Sequence, residues 1–227
     1  MINIFAEANC NRYVRDECQY CHVYEPLMQI PKNDWHLEPE KAQIMVDKIL
    51  QIEVFYELAK REINLTGGEP SQNPHIVEIF KIFRKLTPNV RIHTNLDISS
   101  ATSPRWQRLV DIIKLSGRVD FTLYPTVWES RQKPLLKEIL GLQDELIVNM
   151  IFEKVPDLLS QIEVLITFFE NQEKKYGSVL SLLDTYRKKL GSLLRENPSC
   201  DESLFLKHMG DTETYISTDN FTFDLNM

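Results

Sequence analysis

The chain has 227 residues, of which 43% are hydrophobic, 26% charged and 10% aromatic, a composition that excludes a disordered or fibrous chain. Its formal net charge of -7 disfavours a nucleic-acid partner, because nonspecific binding to nucleic acid rests on Lys and Arg neutralising phosphates. No run approaches ~20 apolar residues, and Met1 to Glu7 carries neither a basic segment nor a long apolar one, so no membrane association and a cytoplasmic location are expected.

In chain order, β-prone runs at 2–6, 62–66, 90–94, 119–124, 146–151 and 178–183 predict six strands. From the second onward their starts fall about 30 residues apart, the size of one βαβ unit. Between them, 39–52, 74–86, 104–116, 128–140 and 156–171 carry apolar residues at three- and four-residue spacing, mostly beginning at proline, and predict helices. A further helix is expected at 185–195, ended by Asn197-Pro198. The polar tail alternates over 214–218 and again over 220–223, which predicts a small hairpin or extended segment. The expected organisation is one α/β domain over 1–196 with a parallel sheet, and a C-terminal extension over 197–227.

The first strand runs into Cys10-Asn11-Arg12-Tyr13-Val14-Arg15-Asp16-Glu17-Cys18-Gln19-Tyr20-Cys21. A fold of this length needs no disulfides, so its cysteines are available for chemistry. Three thiolates in twelve residues can converge on one metal centre and leave it an open coordination position, as reactive metals require. Two plainer readings compete: ordinary reduced thiols, and a structural zinc completed by His22 or Cys200. The second strand ends in Gly67-Gly68-Glu69-Pro70, where glycines permit close approach of the backbone to a ligand and a carboxylate can accept from an ammonium group. Read alone, that turn is a plain strand-to-helix connection. Both features follow neighbouring strands, and in parallel βα folds the loops at the C-terminal strand ends gather into one site.

Together these motifs resemble the radical S-adenosylmethionine superfamily. The resemblance implies a partial (β/α)6 TIM-like barrel over 1–196, in which Cys10, Cys18 and Cys21 ligate a [4Fe-4S] cluster. It implies that Gly67, Gly68 and Glu69 hold the methionyl end of S-adenosylmethionine, that Tyr20 lies beside the adenine, and that Thr94 and Asn95 stand near the cofactor. The implied reaction is an oxygen-sensitive reductive cleavage of S-adenosylmethionine to a 5′-deoxyadenosyl radical, which takes hydrogen from a peptide or small-molecule substrate. A flavodoxin or ferredoxin is the implied electron donor. The spacing between Cys10 and Cys18 is four residues longer than the family's usual one, which leaves the subgroup open. The alternative is a zinc-binding α/β module without redox catalysis.

Other polar residues expected at strand ends are Tyr124, Asn149, Glu153 and Asp184, all read as ordinary loop positions. Trp35, Trp106 and Trp128 are read as packing, and His93 as a core histidine. No Gly-x-Gly-x-x-Gly or Walker-type loop supports a phosphate-binding protein.

Overall fold

Four apolar runs flanked by turn residues form the parallel strands β1 (Ile2–Glu7), β2 (Ile63–Gly67), β3 (Val90–Thr94) and β4 (Arg118–Leu123), paired in that order. The computed structural model describes residues 1–12, 35–143, 145–151, 155–172, 176–196, 216–217 and 220–226. Register brings Ile4, Leu65 and Ile92 side by side, with Val119 beside Ile92, so one face of the sheet is continuously apolar and buried. The other face carries Asn3, Asn64, Arg91 and His93 in the same rows, because side chains alternate along each strand. A parallel sheet is usually apolar on both faces, so this polar side is a departure. There Arg91 pairs with Glu62 and, at 3.2 Å, with Asp120.

Helix α1 (Pro39–Gln51) begins with proline at its first turn, where no intrahelical partner is lost. The chain extends at Ile52 and turns into α2 (Glu53–Arg61), a helix that apolar periodicity does not announce: Val54 and Phe55 are exposed and only Ala59 is buried. Helix α3 (Ile76–Phe83) buries Ile76, Ile79, Phe80 and Phe83, and α4 (Pro104–Lys114) buries Trp106, Leu109, Ile112 and Ile113. Ser103 caps α4 by accepting from the Arg105 amide at 3.3 Å. Each large side chain so buried contributes about 1.5–3 kcal/mol.

The chain divides into two compact units, Met1–Phe121 with Pro134–Gln143, and Thr122–Lys133 with Asp144–Met227. Helix α5 (Lys133–Leu140) follows a π-helical turn at Trp128–Gln132. In the second unit β5 (Glu145–Ile151) is followed by α6 (Val155–Glu170) and α7 (Gly177–Glu196). In the tail, expected as a small hairpin or an extended segment, β6 (Ile216–Ser217) pairs antiparallel with β7 (Asn220–Asn226), and β7 pairs antiparallel along β5, from Glu145 opposite Asn226 to Ile151 opposite Asn220.

One strand expectation is overturned. Residues 178–183, expected as a sixth strand, lie inside α7. The buried positions Val179, Leu183, Tyr186, Leu190 and Leu193 recur at three- and four-residue steps across the whole helix, and that helical period prevails over the β-like look of Val179-Leu180-Ser181-Leu182. Asp184 therefore sits on a helix, paired with Arg187 and with Lys188 at 2.6 Å, and not at a strand end. Trp106 and Trp128 are buried, as packing residues should be. The described architecture is α/β with a parallel sheet of four strands, and among the described residues no helix is long and apolar enough to cross a membrane.

Candidate functional site at the C-terminal ends of β1, β2 and β3

Because β1, β2 and β3 run parallel, the segments that leave their C-terminal ends emerge on one edge of the first unit. Three of the predicted motifs meet there: Cys10 three residues beyond β1, Gly67-Gly68-Glu69 at the end of β2, and Thr94-Asn95 at the end of β3. Cys18, Cys21 and Tyr20, with His22, Cys200 and Glu153, fall outside the described residues.

The two glycines are explained by crowding. Gly67 adopts φ +127, a left-handed backbone that side chains rarely take, and a Cβ on it would lie 2.1 Å from the Glu7 carbonyl oxygen. A Cβ on Gly68 would lie 2.4 Å from the Asn9 carbonyl oxygen. Their absence lets the turn fasten to the segment leading into Cys10: the Gly68 amide donates to Glu7 O at 2.7 Å and the Glu69 amide to Asn9 O at 2.8 Å.

Glu69 is fully buried, and its carboxylate ties β2 to β3. Oε1 accepts from the Thr94 hydroxyl at 2.7 Å and from the Ser71 amide at 3.1 Å, while Oε2 accepts from the Asn95 amide at 2.7 Å. Arg105 Nη2 adds a charge 3.7 Å from Oε1. A carboxylate offers about four lone-pair positions, and donors among the described residues occupy three of them, two on Oε1 and one on Oε2. In the described structure this carboxylate braces the β2 turn against the end of β3.

Beyond β3 the chain turns sharply, with Leu96 buried at φ 49. Asn95 Oδ1 accepts from the Asp97 amide at 2.9 Å, and Asn95 Nδ2 donates to Asn11 Oδ1 at 2.9 Å and to Cys10 Sγ at 3.8 Å. Cys10 is 8% exposed. Arg12 Nη1 and Asp97 Oδ2 lie 3.5 Å apart with both side chains buried, an arrangement whose disruption costs about 3–5 kcal/mol when one partner is removed.

Several of these residues escape sequence reasoning. Glu7 is buried and accepts from the Asn9 amide at 2.8 Å, with His36 Nδ1 2.5 Å from its other oxygen. Burial pushes the Glu7 carboxyl up, against the opposing pull of the Asn9 amide and His36. The available signal is the polar run Glu7-Ala8-Asn9-Cys10-Asn11-Arg12 directly after an apolar strand, where a parallel sheet gathers ligand-binding groups. Arg105, which donates through Nε to Ser71 Oγ at 3.0 Å, carries no such signal, since on a helix it looks like any surface charge.

No family model and no curated protein matches the chain. Its own residues therefore carry the functional argument. Among the described residues no group of three or more His, Cys, Asp or Glu side chains is placed to hold a metal ion; Cys10 is the one expected metal ligand that they include. The described part of the corner holds one cysteine sulfur with a hydrogen-bond donor beside it. Cys10 is buried, and the Asn95 side-chain amide donates to its sulfur at 3.8 Å, a contact that favours a charged thiolate over a neutral thiol.

Proposed function

We propose that the chain is a radical S-adenosylmethionine enzyme, in which Cys10, Cys18 and Cys21 hold a [4Fe-4S] cluster and Tyr20, Gly67, Gly68, Glu69, Thr94 and Asn95 surround the cofactor. The observation that carries this reading is the meeting of Cys10, the Gly-Gly-Glu turn and the Thr-Asn pair at the ends of three adjacent parallel strands. In this reading the four parallel strands are one wall of a partial TIM-like barrel. The chain works in the cytoplasm, where thiols stay reduced, with a flavodoxin or ferredoxin as electron donor and a peptide or small molecule as substrate.

When bound, the cluster and S-adenosylmethionine supply one-electron cleavage of the sulfonium and hydrogen abstraction from the substrate. The chain's own residues build the setting. Gly67 and Gly68 bring the β2 turn against the Glu7 and Asn9 carbonyls, which fixes the approach to Cys10. Glu69 locks Thr94 and Asn95 to that turn, so the groups facing the cofactor are positioned before it arrives. Leu96 and Ile98, which follow the Thr-Asn pair, are buried.

The test is anaerobic reconstitution with iron and sulfide, followed by metal analysis, EPR after dithionite, and chromatography for 5′-deoxyadenosine and methionine. The expected result is about four irons per chain, a reducible signal that shifts on adding S-adenosylmethionine, and cofactor cleavage. Cys18→Ala should lose iron and cleavage together. One zinc per chain and no iron would overturn the proposal in favour of a zinc-binding module.

A further inference from the structure

Resting on that reading of Cys10, we propose that the Asn95 side-chain amide donates a hydrogen bond to the Cys10 sulfur and thereby raises the reduction potential of the cluster that Cys10 helps to hold. The orientation of the amide is fixed from both ends. The Asp97 amide can only donate, and it reaches Asn95 Oδ1 at 2.9 Å, so Oδ1 must face it. The Asp97 carbonyl can only accept, and Asn11 Nδ2 donates to it at 3.1 Å, which turns Asn11 Oδ1 toward Asn95. Both constraints direct the Asn95 NH2 group at Asn11 Oδ1 and Cys10 Sγ. A flipped amide would set a donor against the Asp97 N–H and an acceptor against Asn11 Oδ1.

The donor is also held in place before any cluster binds. Glu69 Oε2 accepts from the Asn95 backbone amide, and Leu96 follows in the left-handed region, so the side chain springs from a fixed turn. Asn95 and Cys10 are 7% and 8% exposed, which keeps water from screening the contact. Adding an electron to a thiolate-held cluster increases the negative charge on its sulfurs. A fixed N–H dipole therefore stabilises the reduced form more than the oxidised one, and hydrogen bonds to the sulfurs are among the determinants of cluster potential. Asn95 is thus a positioning and tuning residue acting through Cys10, a role separate from contact with the cofactor.

The experiment is an EPR-monitored redox titration of the reconstituted full chain without S-adenosylmethionine. Asn95→Ala should lower the midpoint potential at unchanged iron content. Asn95→Asp should lower it further, since it keeps an acceptor for the Asp97 amide while replacing the donor by a negative charge. Asn11→Ala, which retains the Asn95 donor, should move the midpoint less than either. If both Asn95 variants hold wild-type iron at the wild-type potential, the hydrogen bond has no such role, and the cluster reading stands without it. A second measurement covers variants that fail to assemble the cluster: pulsed EPR of the reduced wild-type protein should show a weak nitrogen coupling that changes on labelling with 15N-asparagine. Absence of that coupling would overturn the inference, and a wild-type chain that binds no iron would overturn it together with the reading it rests on.

Discussion

The Thr94 hydroxyl donates to Glu69 Oε1 at 2.7 Å in a corner where both residues are fully buried, and this contact joins two of the motifs that sequence reasoning had assigned to a cofactor. The same hydroxyl accepts from the Leu96 amide at 3.0 Å, so it serves the carboxylate and the turn together. Thr94→Val keeps the shape and removes both bonds. It should cost about 1.5–3 kcal/mol in urea denaturation, the range for depriving a charged acceptor of a buried donor. Glu69→Ala strands the Ser71 and Asn95 amides and the Thr94 hydroxyl at once and should cost more. If Glu69→Ala unfolds at the wild-type urea concentration, the bracing role is wrong.

Gly67 and Gly68 are required by contact with backbone, which cannot swing aside as a side-chain end can. Gly67→Ala combines a strained φ of +127 with a Cβ 2.1 Å from Glu7 O, and should lose at least about 2 kcal/mol of stability. Gly68→Ala, with Asn9 O at 2.4 Å, should also be destabilised and should displace the segment that carries Cys10. Thermal unfolding of the two variants checks this; a melting temperature unchanged in both would mean that the turn has room for a side chain.

Burial of its ring and then the neighbouring Arg91 guanidinium push His93 down to about 4, from an ordinary value near 6.5. A depressed base binds fewer protons in the folded chain than in the unfolded one between those two values. Stability attributable to His93 is therefore complete above about pH 6.5 and lost as the pH falls toward 4. Wild-type and His93→Gln proteins compared by urea denaturation at pH 7 and pH 4.5 isolate this from the titration of the carboxylates. The wild type should lose more stability than the variant over that interval, and parallel losses would refute a histidine held neutral by the fold.

The strands β1 to β5 and the start of most helices were legible because each is a local signal: an apolar run, a proline at the first turn, a glycine beyond the strand. The site was legible where a motif requires rare residue types, as Cys10 and the Gly67-Gly68 pair do. It was not legible where the corner depends on contacts between distant segments. Nothing in Asn95 announces that Asp97 and Asn11 orient it, and nothing in Glu69 announces that three donors converge on it. The strand expected at 178–183 fails for a different reason: six residues of β-like composition lie within a helical period of buried positions that continues to Leu193.

The helical assignment of α7 makes a prediction that separates it from a strand. Gly191 lies inside the helix, and a Cβ on it would meet nothing closer than Arg195 Nη1 at 3.7 Å, an ordinary contact with a flexible side-chain end. Replacing an interior helical glycine by alanine removes backbone freedom from the unfolded chain and should stabilise the unit by up to about 1 kcal/mol. Leu183 and Leu182 supply the contrast, since Leu183 is fully buried and Leu182 is 36% exposed. Leu183→Ala should cost about 2–5 kcal/mol, with Leu182→Ala well below it. Circular dichroism melts of the three variants are sufficient: Gly191→Ala should melt higher than the wild type and Leu183→Ala far lower, whereas a destabilising Gly191→Ala would indicate that this segment is not the regular helix described.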